Sequence, residues 1–281
     1  MADQNSEATP ADPVSFESPP VKQVVLGVEF SGQVADEATM LADFWQQIRT
    51  TYPAFSKGPA MGPMAENFDL ISTGPRVRLT VVNESSLYTF LSEDEHWRVQ
   101  VQPNRFVVGW AQTDEAGPYP RYRKIRRRFQ ELYRIFTDVM DTEILKAHPP
   151  SWCATTYVNE IAHPKSKDPF HGPLEDILLL VRKPKSNTLP TVEDTTYRQR
   201  HLLRSNNGEP CGRFYINADP MWITENHIPG YRLTLRAVSR PDGKSAAAVL
   251  RCQDKGRDLI VRSFKDITTP AMHEQWGLQE S

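Results

Sequence analysis

The chain has 281 residues, enough to bury a core without disulfides or metals, and its formal net charge of −2 gives no global attraction for nucleic acid or an anionic membrane. Its hydrophobic share is 39%, with no apolar run near the ~20 residues that a membrane span needs. Cys153, Cys211 and Cys252 are odd in number and far apart, which excludes a disulfide framework and fits a reducing, cytoplasmic compartment.

Residues 1–20 are acidic, small and proline-rich, without the apolar stretch of a signal peptide, and read as a disordered tail. Val21–Phe30 alternates and is valine-rich, so it is a strand. Asp36 is placed to cap a helix reaching about Tyr52, with Met40, Leu41, Phe44, Trp45 and Ile48 on one face. Residues 54–75 carry repeated Gly-Pro signals and form a long loop, a weak functional flag because long ordered loops are uncommon without a task. Strands follow at Arg76–Val82 and Ser86–Leu91. Trp97–Gln102 and Arg105–Ala111 then make a hairpin turned at Pro103-Asn104.

Tyr119–Leu145 is the longest helical pattern and organises the rest. Tyr122, Ile125, Phe129, Leu132, Phe136, Val139 and Met140 recur at three- and four-residue steps, widened by Tyr133 and Ile135. Pro149-Pro150 forbids its continuation. Strands are expected at Trp152–Ile161, Glu175–Arg182, Arg198–Arg204, Gly212–Ala218 and Tyr231–Val238, and a helix of about 12 residues near Asp254–Ile267. Whether Ala246–Cys252 extends that helix or forms another strand stays open. The fold class is α+β: antiparallel sheets each packed on a long helix. Two related lobes, 21–150 and 151–281, are one arrangement; a single large sheet with helices on one side is the other.

The segments VKQVVLGVEF, WRVQVQPNRFVVGW, YPRYRKIRRRFQELY, TYVNEI and the helix ending IVRSFKDITTPAMHEQWG, in that order, resemble an uncharacterised, sporadically distributed bacterial protein family of similar length. The resemblance covers the chain from Pro19 onward and rests on loose aromatic and apolar patterns. It implies no activity and no catalytic residues. Two positions depart from it: Thr156 stands where an arginine is expected before the tyrosine, and Gly256-Arg257 where a histidine–acid pair is expected. Patchy distribution is common among mobile or defence-related genes, so the resemblance allows an accessory role of that kind.

No catalytic, metal or nucleotide motif stands out. The unusual feature is charge: Arg121, Arg123, Lys124, Arg126, Arg127 and Arg128 crowd the start of the long helix, while Asp138, Asp141 and Glu143 sit near its end. The helix dipole disfavours both. Arg121, Arg123, Lys124, Arg127 and Arg128 with Tyr119 therefore form a candidate anion- or partner-binding patch, and with it a nucleic-acid or phosphate binder; the alternative is a solvated face paired with nearby acids. His163 and His171 flank a loop that could serve a hydrolase-like enzyme, yet their spacing suits no metal, and no cofactor is implied. His227 beside Glu225 is a weaker acid–base candidate. Asn159, between apolar neighbours in a strand, needs hydrogen-bond partners inside the protein or on a ligand. The reading favoured is a non-enzymatic, cytoplasmic protein that binds a protein partner or a second copy, through aromatics such as Trp222, Tyr215, Trp276 and Phe170.

Overall fold

The structure is a computed structural model that describes residues 14–34, 37–68, 86–113, 118–163, 170–182, 188–223 and 228–279. In chain order the elements are β1 (Ser15–Phe16), β2 (Val21–Phe30), α1 (Glu37–Ile48), β3 (Ala54–Pro59), β4 (Ser86–Leu91), β5 (Trp97–Gln102), β6 (Arg105–Ala111), α2 (Arg121–Val139), α3 (Thr142–Ala147) and β7 (Pro150–Ala162). A 3-10 turn (Leu174–Asp176) precedes β8 (Tyr197–Arg204), β9 (Pro210–Ile223), β10 (Ile228–Ser239), α4 (Ala246–Ile267), α5 (Pro270–Trp276) and β11 (Leu278–Gln279). The expected strand at 76–82, the cap at Asp36, and Glu225 and His227 lie outside the described residues.

The fold is α+β. Nine antiparallel strands form one sheet in the order β3-β4-β5-β6-β2-β7-β10-β9-β8. The two halves of the chain meet where β2 pairs with β7, Leu26 opposite Thr155 and Val28 opposite Cys153. Hydrogen bonds therefore run without a break between the halves. Outward from that seam the strand order repeats: β6, β5, β4 on one side and β10, β9, β8 on the other, each half closing with a long helix.

Strand alternation sends Leu26, Val28, Val99, Phe106, Val108, Leu233 and Leu235 to one face, all at most 1% exposed. On that face α2 lays its stripe: Phe129 and Phe136 pack on Phe106 at ring distances of 5.7 and 4.8 Å. Helix α1 lies alongside, with Phe44 touching Phe90, Phe106 and Phe136. Helix α4 covers β7 and β10, where a Cβ at Gly256 would come within 3.0 Å of the Thr155 hydroxyl. A smaller cluster on the opposite face, Val107, Trp152, Ala154 and Val238, lies under Met64. The loop expected over 54–75 thus begins as edge strand β3, and its 60–68 segment crosses the sheet. It is held there by Met64 N to Glu29 (2.8 Å), Met61 N to Gln102 (3.0 Å) and the buried Glu29–Arg105 pair.

Three further expectations change, and one open alternative is decided. Residues 14–20 are ordered rather than tail: β1 pairs with β11, and Phe16, 5% exposed, packs edge-to-face against Phe264 and Trp276. One large aromatic ring supplies the apolar burial that the composition of the stretch lacks. The long helix stops at Val139, because the Asp141 carboxylate accepts from Glu143 N and Ile144 N and starts α3. Two of the acids read as misplaced at a C-terminus, Asp141 and Glu143, therefore cap and head a new helix, while Asp138 stays in the last turn of α2, paired with Arg134 at 2.9 Å. Glu175–Arg182 is not a strand. Leu174, Ile177 and Leu178 are fully buried at a three- to four-residue step, a helical-turn spacing, while Leu179 is 54% exposed; a single bridge from Leu178 to Thr268 is the segment's only sheet-like pairing among the described residues. Ala246–Cys252 joins the last helix, which Ser245 caps by accepting from Ala248 N.

Candidate functional site

Helix α2 scatters its cations. Arg121 opens the helix with a left-handed φ of 65° and donates to the backbone carbonyls of Phe16 (2.9 Å) and Glu17 (3.2 Å). That conformation costs energy in a non-glycine residue, and here it points the guanidinium at the N-terminal segment. Arg126 is buried and paired with Asp254 at 2.8 Å. Arg128 lies over the Trp97 ring at 5.1 Å. Arg127 reaches Glu131 at 3.0 Å in an exposed pair, the kind worth little. Arg123 and Lys124 point to solvent. Of the expected patch, Arg121 and Arg128 thus hold structure, and Tyr119 turns inward. What remains at the surface is Arg123, Lys124 and Arg127.

Tyr119 belongs to a polar cluster where α2 and α4 approach each other over the seam. Its hydroxyl lies 3.2 Å from that of Tyr157, and Tyr122 donates to Asp254 at 2.7 Å. Burial pushes both Tyr157 and Tyr122 well above the usual phenol range, helped at Tyr157 by Tyr119 and at Tyr122 by the Asp254 charge. Arg257 packs over the Tyr122 ring. Asn159 is 2% exposed and donates to Leu233 O at 3.1 Å, which gives its amide a structural partner. The cavity beside these groups measures only about 60 Å³ beneath the 14–19 segment, room for a few waters.

His163 is closed off: its side chain is 3% exposed, with Nε2 3.3 Å from Pro173 O and 3.7 Å from Asp176. A general base must reach a substrate proton, so this ring is badly placed for one. His171 packs on Trp222 and Tyr231 at 4.8 and 6.2 Å. Among the aromatics expected at an interface, Trp222 and Phe170 are exposed (45% and 50%). Trp276 is buried, and Tyr215 donates to Glu66 beneath the crossing segment.

The larger opening lies elsewhere. Between the N-terminal half of α4 and the β8–β9 hairpin is a groove of about 640 Å³. Ala237, Cys211, Cys252, Gly256 and Leu259 form its floor and walls, and Arg204, Arg251 and Lys255 stand exposed on its rim. Spacing along the chain hid the convergence of all three cysteines here. Cys153 lies against Cys252, and this contact raises the Cys153 thiol and lowers that of Cys252; Ser239 adds a 3.1 Å contact to the Cys252 sulfur. Among the described residues no cluster of His, Cys, Asp or Glu could hold a metal ion. None of their helices is long and apolar enough to cross a membrane. Compared with known proteins, the chain matches no family model and no curated protein.

Proposed function

We propose that this is a protein-binding module whose groove beside α4 receives an acidic amphipathic helix of another protein. The groove itself carries the reading. In the first half of the chain, α1 and the residues after it fill the space beside the long helix, burying Phe44, Ile48 and Tyr52 to 3% exposure or less. In the second half the 170–182 segment fills only the far end, against Ile267 and Thr268, and the near end stays open. Its apolar walls suit the greasy stripe of a helix. Arg204, Arg251 and Lys255, against Asp242 as the one carboxylate among the lining residues, suit acidic flanks and would speed encounter.

A different protein fits better than a second copy. The chain's own helix of this character, α1, is locked in its core by Phe44, fully buried. Both sheet edges also carry features that discourage strand addition: Lys57 and Pro59 on β3, and Arg198, Arg200 and Arg204 on β8. The test is selection of helical peptides from a display library on the full chain. The expected winners pair apolar residues at three- and four-residue steps with acidic flanks, and lose binding to an Arg251→Glu, Lys255→Glu variant. Winners of any other character, or binding untouched by the variant, would sink the proposal.

A further inference from the structure

The sheet face turned away from the helices is only partly covered. Segment 60–68 crosses it over Val107, Ala154 and Val238. Toward the other end of β2, β6, β7 and β10 lies an uncovered cavity of about 580 Å³. Three cations from three different strands line it: Lys22, Arg98 and Arg232. The carboxylate lining it, among the described residues, is Glu160, which lies 3.3 Å from Arg232.

Two backbone features bring the cations there. Arg98 on β5 sits opposite Gly109 on β6. A Cβ at Gly109 would stand 3.1 Å from Arg98 Cγ and 3.4 Å from Cδ, so the bare glycine lets the arginine stem lie flat across its neighbour. The β2–β7 register shifts between Val21 and Gln23, and Lys22 is the residue in the irregularity. Such bulges re-aim a side chain. Lys22 Nζ then donates to Gln112 at 2.9 Å.

Arg98 Nε is buried and has no hydrogen-bond acceptor among the described residues. Buried donors are normally satisfied, and a charged one left without an acceptor costs the most. Nε itself is sealed from solvent, so an acceptor in the cavity would meet the guanidinium at its terminal nitrogens. The chemistry of that acceptor is that of an oxyanion, since guanidinium and ammonium groups both bind phosphate oxygens, the arginine with two parallel N–H donors. Gln23, Gln112 and Thr113 add amide and hydroxyl groups matched to hydroxyls on the ligand. No aromatic ring lines the cavity among the described residues, so a nucleobase would find nothing to stack on.

We infer that the face opposite the helices carries a binding site for a phosphorylated polyol of sugar-phosphate size, with Arg98 and Lys22 on the phosphate and Arg232 positioned against Glu160 at its border. This site lies on the other side of the sheet from the groove beside α4, and neither depends on the other.

Isothermal titration calorimetry on the full chain tests it, with glucose 6-phosphate, inorganic phosphate, glucose and adenosine monophosphate as probes. Glucose 6-phosphate should bind at millimolar concentration or below, inorganic phosphate more weakly, and glucose not at all. Arg98→Met keeps the aliphatic stem over Gly109 and removes the charge. It should cut the affinity for glucose 6-phosphate about tenfold or more at an unchanged melting temperature. Gly109→Ala, which pushes the stem aside, should weaken binding in the same direction, and Arg98→Lys should restore part of it in a variant that folds. No binding of either phosphate, affinity unchanged in Arg98→Met, or a preference for adenosine monophosphate over glucose 6-phosphate would each overturn the inference.

Discussion

The two halves of the sheet share a strand order and differ in what closes them. On one side of the β2–β7 seam, α1 lies along α2 and fills the space over the outer strands with aromatic rings. On the other, Leu174, Ile177 and Leu178 plug only the end of α4. The helix starts differ as well. Helix α4 has a serine cap, whereas α2 has no side-chain cap and a left-handed Arg121 held by backbone carbonyls of the N-terminal segment. The lesson is that a repeated strand layout does not fix the surface. One half is finished by its own chain, and the shorter plug of the other leaves an opening with cations around it.

The comparison breaks most visibly at its plugs. Phe44→Ala should destabilise the fold by about 3–5 kcal/mol, since it leaves a void among three other rings. Ile177→Ala, in the counterpart plug, should cost about 2–5 kcal/mol in the same denaturant titration. A cost near zero would mean the 170–182 segment does not stand in for α1. Phe16→Ala should also lower stability, by about 3 kcal/mol, because β1 is docked rather than loose. At the seam, Asp254→Ala strands Arg126 and the Tyr122 hydroxyl and should cost about 3 kcal/mol. The double change with Arg126→Met should recover much of that, and a purely additive result would show the pair is not coupled.

Smaller effects act through pH, in the same direction in both halves. Burial pushes Tyr52 in the first half from 10.0 up to about 12, and Tyr231 in the second from 10.0 up to about 12. Above pH 10 the unfolded chain releases these protons while the folded one keeps them, so stability falls as pH rises toward 12. Each tyrosine contributes up to about 1.4 kcal/mol per pH unit. Tyr52→Phe should flatten the alkaline decline measured by urea titration at several pH values; an unchanged slope would show that Tyr52 titrates normally. Least of all, Arg123→Glu with Arg127→Glu should move stability by no more than about 0.5 kcal/mol, because both side chains are exposed. A larger loss would reveal internal pairing of these arginines.

Local chemistry made much of the fold legible. The helix stripe from Tyr122 to Phe136, the 97–111 hairpin and the valine-rich β2 each follow from a repeat of 3.6 or 2 residues, which a short window of sequence contains. The α+β class follows from those elements together. The candidate site was much less legible. Six cations in eight residues look like one patch along the chain, but at about 100° per residue they face different ways, and Arg126 and Arg128 find Asp254 and Trp97 only through packing. The mark left by Asn159 was sounder, since a buried amide must be satisfied wherever it lies. Sequence alone thus determined the strongly periodic helices and strands and their apolar faces, because propensity and periodicity act between near neighbours, while the continuously apolar 175–182 stretch was misread as a strand. Tertiary structure alone decided that β2 pairs with β7, that three distant cysteines meet beside α4, and that Arg98 crosses Gly109. Backbone hydrogen bonds between strands carry no residue code, so partners distant in the chain are chosen by the packing of the whole.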